Sequence, residues 1–549
     1  MMVGDFGMYM RSATWILVLA MGCTAPSQRG DDALVVPLQA LPNLCELPVA
    51  SQQPLWLRDA VGYQVWVRSF ADSDGDGAGD LRGLRKRLDY LNDGKPGGDD
   101  LGVDVLWLSP IFPSPSDHGY DATGYRSINP DYGDAAEFKA LIDAAHQRGI
   151  KVVLDLVLNH CSRQHPWFQE AASSPDSAKR AWFSWRDSDP GWTQPWGKAK
   201  TWHKLTEGQW YYGLFWQGMP DLNVAHAPVT KTLQDIAVFW AEQGVDGYLV
   251  DAARYLVETG PGPGQVDTEA THEFWRGLRK RLDALRPGIA LLGEVWTKTQ
   301  TVATYLKGDE LHGAFDFDGC AGLRKGIELS SPSMWRSALC KTAEAHGGHW
   351  VRFAGNHDMA RLADIASTLS QRKRALATVL LSPGVPWIYQ GDELGLPSGS
   401  QGGDRRYRLP MPWTDEGPSY GFTTTKPWMT MPTKYGPLAV SRQLNEPTSL
   451  LRLVMQAVAI RKSIPSITNK PASILELDDA FHLDVDGDVL VVAYGRRGLA
   501  GSAILMARLQ AGIRLPQEVV AGATQVFGAP TASLDGQIVL ADEAVLWRW

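Results

Sequence analysis

Cysteine is scarce in this chain, and positive charge is outweighed. Only five of the 549 residues are cysteine, none in a CxxC pair or at a spacing to histidine that would build a zinc site, which removes the common structural zinc modules from consideration. Lys and Arg number 53 against 61 Asp and Glu, for a net charge of −8 and an isoelectric point near 5.9. Such a balance leaves no basic footprint for nucleic acid. The apolar stretch ATWILVLAMG, residues 13–22, is too short to span a bilayer. Solenoid repeats and low-complexity tracts are absent as well, so the fold is not a repeat array. What the chain does have is 44% apolar content over its 549 residues, enough to support several cores.

Helix-period segments run repeatedly into a glycine and then a short apolar strand. The units are 135–149 feeding KVVLDLVLNH (151–160), 229–244 feeding VDGYLVD (245–251), 272–288 feeding IALLGEVW (289–296), 333–348 feeding HWVRFAGNHD (349–358), and 371–384 feeding VPWIYQGDE (385–393). In each, apolar residues three and four apart give way to a β-rich run, with glycine where a helix end needs the left-handed conformation. Such alternation predicts a mainly parallel sheet. VGYQVWV (61–67), VDVLWLS (103–109) and GAFDFD (313–318) supply the remaining strands, and eight strands predict an α/β fold, a (β/α)8 TIM barrel with its active site at the C-terminal strand ends.

Those ends are unusually acidic. Asp155, Asn159 and His160 end the third strand, Asp251 the fourth, Glu294 the fifth, and His357 with Asp358 the seventh. A single acid at a strand end is often merely solvated or paired with Arg or Lys, but a whole rim of them is not explained that way. Neighbouring strands lie roughly 4.8 Å apart, so Asp251 and Glu294 can present carboxylates at about the 5 to 5.5 Å separation of a retaining glycoside hydrolase. One would act as nucleophile, and the other, kept protonated, as acid and then base.

At these residues the chain resembles the α-amylase family of glycoside hydrolases (glycoside hydrolase family 13), of the oligo-1,6-glucosidase/neopullulanase-like intermediate type. DLVLNH (155–160), MPDLN (219–223), GYLVDAARY (247–255), GEVW (293–296), FAGNHD (353–358) and VPWIYQGDELGL (385–396) stand in the family's order, and HGYDATGY (118–125) resembles the loop that supplies an aromatic platform under the reacting sugar. The resemblance covers about residues 56–466. It implies Asp251 as nucleophile, Glu294 as acid/base and Asp358 as a third carboxylate gripping sugar hydroxyls. Substrate contacts are implied from Tyr120, Asp121, His160, Arg254, Trp296, His357, Asp404 and Arg408. In the resembling α-glucosidases a small residue after the nucleophile, here Ala252, accompanies α-1,4 rather than α-1,6 cleavage.

One position departs from the family. The arginine two residues before the nucleophile is replaced by Leu249, and an adjacent guanidinium lowers a carboxylate pKa by about 1 to 3 units. Either another cation such as Arg254 substitutes, or the enzyme is slow, or the barrel binds glycan without cleaving it; simple barrel packing is the bland reading of the leucine.

DSDGDGAGD (72–80) places acids at every second position with glycines between. Hard oxygens so spaced suit a structural Ca²⁺, from the carboxylates of Asp72, Asp74 and Asp76, the carbonyl of Ala78 and Asp80. The run begins like an EF-hand loop, but its twelfth position is Gly83 rather than a bidentate glutamate, so that reading is rejected; the loop also resembles the calcium loop of oligosaccharide-cleaving α-amylase relatives. The alternative is a hydrated Asp-Gly turn.

The organisation then reads as a signal peptide at 1–22, a lipidated flexible tether at 23–51, a catalytic barrel at 52–160 and 223–466, an inserted domain at 161–222 and a C-terminal antiparallel β-sandwich at 467–549. The insert holds eight of the chain's 22 tryptophans, most assigned to its small core and two or three to substrate. Cys23, after Ala-Met-Gly, resembles a bacterial lipoprotein processing site, giving an exported protein held to the membrane through a lipid anchor only; ordinary secretion is the alternative. Cys45, Cys161, Cys320 and Cys340 allow three complete disulfide pairings.

The expected activity is retaining hydrolysis of α-1,4-linked glucans or maltooligosaccharides. The rivals are a transglycosylase, such as a glucanotransferase or trehalose-forming isomerase, and a non-catalytic glycan-binding lipoprotein.

Overall fold

The structure, a computed structural model, describes residues 53–463 apart from positions 96, 383, 418 and most of 330–349, together with the backbones of short strands between 484 and 548. Eight parallel strands close into a barrel: β1 Gly62–Val65, β2 Val105–Leu108, β3 Lys151–Leu156, β4 Gly247–Val250, β5 Ala290–Gly293, β6 Gly313–Phe315, β7 Trp350–Arg352 and β8 Val385–Tyr389. β8 pairs back onto β1. Every expected strand is present, each shorter than its apolar run, because the run continues into the loop that carries the polar residues.

Alternation along each strand sorts the side chains. Val105, Trp107, Val153, Leu249, Ala290, Leu292, Phe315, Val351, Val385 and Trp387 fill the barrel interior. Their neighbours, among them Tyr63, Leu106, Leu154, Tyr248 and Ile388, pack in the outer core with the helices. Gly62 makes the closing seam feasible: a Cβ there would sit 2.4 Å from the Trp387 indole.

The helices that drive the crossovers are α1 Leu81–Lys86, α2 Ala135–Gln147, α3 Ala227–Glu242, α4 Glu269–Leu285, α5 Phe317–Glu328, α6 Leu369–Leu381 and α7 Leu450–Ser463. Asp134, Thr268 and Thr368 accept backbone N–H groups at the starts of α2, α4 and α6, satisfying donors a helix leaves free. Gly149, Gly244, Gly288 and Gly384, read as helix stops, all lie in the left-handed region, with φ from 76 to 102°.

α5 was not expected. The sequence reads as strand through residue 318, but β6 ends at Phe315 and Asp316 caps a helix by accepting from the Gly319 amide at 2.8 Å. Three glycines disguise it, since glycine weakens a helix by about 1 kcal/mol. Two of them answer to close approach: a Cβ on Gly319 would strike Asp316, and one on Gly322 would lie 2.6 Å from Ala338 Cβ. The helix expected over 333–348 falls mostly outside the described residues.

The insert contains a helix, Pro166–Ser173, and a three-stranded antiparallel sheet of Trp185–Arg186, Gln209–Tyr212 and Trp202–Thr206. Bridges His160↔Asp221 and Phe183↔Leu222 tie its ends together. The C-terminal strands pair antiparallel in a five-stranded and a three-stranded sheet. Cys161 and Cys320 are buried and free, so none of the three complete pairings forms; Cys23, Cys45 and Cys340, with the whole leader and tether, lie outside the described residues. Among the described residues no helix is long and apolar enough to cross a membrane.

Candidate active site

Strand ends deliver the acids to one place. Asp251 follows β4, its amide donating to Leu156 O of β3 at 3.3 Å, and Glu294 follows β5, donating to Val250 O at 3.0 Å. Val250 and Gly293 are register partners, so the two acids leave adjacent strands at the same height. Asp358 comes from the loop after β7, where its amide donates to Asn356 Oδ1 at 3.0 Å. Asp155 lies within β3, paired in register with Leu249.

Burial raises Asp251 and Glu294 well above the usual carboxylate range, and neighbouring carboxylates raise them further, Asp155 and Asp358 acting on Asp251, and Asp251 and Asp358 on Glu294. A hydrogen bond between the pair works in opposite senses, lowering Asp251 and raising Glu294. Both acids therefore hold a proton to higher pH than a solvated carboxyl does, as a general acid at this position must. Burial also pushes Asp358 up, but His357 and Arg408 outweigh it and hold that carboxyl well below the usual range. Arg408 donates from Nη2 to Asp358 Oδ1 at 2.7 Å and from Nε to His357 O at 3.2 Å.

Around the acids stands a polar and aromatic wall. Tyr120 donates its hydroxyl to Asp155 Oδ2 at 3.1 Å, lies 2.7 Å from His357 Nε2 and stacks on the His357 ring with centroids 5.6 Å apart. His160 Nε2 is 4.0 Å from Asp251 Oδ2, and burial lowers its pKa to about 3, so the ring is neutral at ordinary pH. Asp251 Oδ2, His160 Nε2, Asn159 Oδ1 and Asp155 Oδ1 have no hydrogen-bond partner in the protein; the first two face each other across that 4.0 Å gap. Phe215 meets His160 edge-on at 5.1 Å, and Trp196 packs on Phe215 at 5.6 Å and on Tyr255 at 5.2 Å. Of the eight tryptophans in the insert, Trp196 is thus the one these contacts connect to the nucleophile's surroundings.

Other expected residues have contacts within the protein. Leu249 is buried in the barrel interior, which fits the packing reading. Arg254 does not serve as the nucleophile's missing cation: it pairs with Asp267 and donates from Nη1 to Trp296 O at 3.0 Å. There it braces the segment just past Glu294, where Trp296 stacks on Phe317 at 4.4 Å. Asp121 accepts from the hydroxyls of Ser114 and Ser116 and so organises the Tyr120 loop from within. Asp404 is buried in the turn Gly403–Tyr407 that leads to Arg408.

Two contributions escaped the sequence, and a third residue was legible without its surroundings. Gln64 on β1 holds His357 Nδ1 at 2.7 Å; a glutamine amid the apolar VGYQVWV was the available signal. Arg405 pairs with Asp117 through Nε at 3.0 and 3.1 Å, joining the loop that carries Arg408 to the loop that carries Tyr120. Asp155, legible as a strand-end acid, is fully buried and raised well above its usual range by burial and then by Glu294.

In the acidic loop, carboxylate oxygens of Asp72, Asp74 and Asp80 lie within 4.8 Å of one another. Asp76 is not in that group; its Oδ1 accepts from the Ala78 amide at 2.7 Å. Burial and then the charges of Asp74 and Asp72 raise the Asp76 pKa, the crowding of like charge that a hard cation relieves. The residues fit such an ion, with Asp80 also capping α1 at the Gly83 amide, 2.7 Å away.

Comparison with known proteins agrees with this geometry. The family profile described as alpha amylase, catalytic domain, matches residues 64–470. The chain is 33% identical over 450 residues to alpha-amylase 3 of Dictyoglomus thermophilum, covering 80% of this chain and 85% of that one. It is 32% identical over 481 residues to the trehalose synthase of Pimelobacter sp., covering 76% and 82%. Among solved structures, the alpha-amylase from H. orenii superposes with a TM-score of 0.78 at 30% identity, covering 89% of this chain and 99% of that one.

Proposed function

Because the chain belongs to the α-amylase family, we propose that it is a retaining hydrolase of α-1,4-linked glucans or maltooligosaccharides. The observation that carries this is the pair of acids, Asp251 and Glu294, that leave adjacent barrel strands at the same height. Asp251 would attack the anomeric carbon while Glu294 gives its proton to the departing glycosidic oxygen, leaving a glycosyl ester; Glu294, now ionised, would take a proton from water as that water cleaves the ester. Asp358, ionised beside Arg408, would grip sugar hydroxyls, with Tyr120 beneath the ring.

Transfer to a sugar acceptor is the second reading, favoured by the likeness to a trehalose synthase; it uses the same residues and differs only in what meets the ester. Maltoheptaose separates the readings by its products: short sugars alone for hydrolysis, longer sugars or isomers for transfer, and no change for a binding protein. Asp251→Asn and Glu294→Gln should each lower kcat by about 10²-fold or more without altering the fold; a tenth of wild-type activity remaining in either would refute the assignment. We further propose a structural Ca²⁺ at Asp72, Asp74 and Asp80, and export with lipidation at Cys23.

A further inference from the structure

Outside the cleft one aromatic surface remains unexplained. Trp216 is 44% exposed, in an insert where most tryptophans are packed. Its indole lies against Gly218, where a Cβ would meet the ring at 2.2 Å. Gly218 is not in the left-handed region, so the close approach of the ring, rather than backbone conformation, calls for glycine there. One side of the indole is thereby braced on main chain while the residue stays open to solvent.

Beside it is a pocket of about 340 Å³ lined by Trp216, Arg163, Gln164, Gln169 and Gln217 with Ser162 and Asp121. Its walls are pinned together: the Arg163 amide donates to Gly218 O at 2.8 Å, the Cys161 amide to Pro220 O at 3.1 Å, and Gln169 Nε2 to Arg163 O at 2.7 Å. None of Asp251, Glu294, Asp358 or Tyr120 lines it, although Asp121, next to Tyr120, and Ser162, two residues after His160, reach its rim from the side of the cleft. A single braced indole amid amides and a guanidinium suits a hexopyranose, which has an apolar face for the ring and a rim of hydroxyls for the amides. An apolar ligand would leave those polar groups unpaired.

We propose that Trp216, with Arg163, Gln164, Gln169 and Gln217, forms an accessory α-glucan-binding site separate from the catalytic cleft, holding a glucosyl unit of a long chain whose free end is processed nearby. The sugar class rests on the proposed α-glucan substrate. Adsorption to insoluble starch and turnover of maltotriose, too short to engage both sites, test it in the full-length protein. Trp216→Ala should weaken starch adsorption about fivefold or more, Trp216→Phe should retain most of it, and both should keep kcat/KM on maltotriose within about twofold of wild type. Adsorption by Trp216→Ala equal to wild type overturns the site, as does a wild type that cleaves maltotriose without adsorbing. Parallel loss of adsorption and maltotriose turnover in Trp216→Ala also overturns it, by assigning the residue to the cleft or the fold. A wild type inactive on every α-1,4 glucan refutes the proposed function instead, and its adsorption still reports on the site.

Discussion

Leu249 and Asp155 are the pair of residues on which the chemistry turns. They are register partners on β4 and β3, so a buried carboxyl faces a hydrocarbon where the family resemblance implies a guanidinium. With no cation among the described residues paired to them, burial dominates and Asp155 and Asp251 are both raised well above their usual range. The acid limb of the pH–rate profile should therefore stand high. Leu249→Arg should lower it by about 1 to 3 pH units and, because the same charge favours ionised Glu294, draw the alkaline limb down with it. Leu249→Met should move neither limb, and unmoved limbs in the arginine variant would mean that another group already supplies the charge. Stability gives a second handle. Asp155 has a raised folded pKa, so its burial is tolerated below the unfolded pKa of about 3.9 and becomes costly as pH rises toward and through the folded value. Asp155→Asn keeps an acceptor for Trp107 and Tyr120 without the titrating proton. Thermal unfolding should show Tm raised by about 1 to 3 °C near neutral pH, the gain fading toward pH 4; a variant destabilised at pH 7 would contradict it.

Among the elements, the acidic loop after β1 and helix α1 behave as one unit. Asp80 caps α1 and shares the carboxylate cluster, while Thr423 and the amides of Gly75, Gly77 and Asp74 lower Asp72 against the effect of its burial. A cation bound there would fasten the helix to the barrel rim. Chelation should then lower Tm by about 5 °C, the scale of saturating a site at roughly a hundred times its Kd, and Asp72→Asn should unfold identically with and without chelator. An equal chelator effect in both proteins would place the metal elsewhere. α5 makes the opposite point about legibility: its glycines read as breaks because the helix they permit is justified only by what approaches it, Ala338 against Gly322.

For the whole molecule, residues 1–52 lie outside the described part, and the envelope reading rests on Cys23. Lipid chains contribute about 0.8 kcal/mol per buried CH₂, so Cys23→Ser should move the protein from the membrane fraction to the soluble fraction. A serine variant that still sediments with membranes would point to an uncleaved leader or a protein tether. Barrel, insert and rim could be read from the sequence because they depend on local periodicity: alternation places Tyr63 outward and Gln64 inward, glycine ends the helices, and strand ends carry Asp251, Glu294 and Asp358 whatever surrounds them. What the surroundings do to those acids was decided only by tertiary structure. That Asp251 and Glu294 are raised well above the usual range, that Arg254 pairs with Asp267 and that Arg405 reaches Asp117 are outcomes of contacts between segments apart in the chain. Burial and charge acting through space determine them, and neither is a function of spacing along the chain.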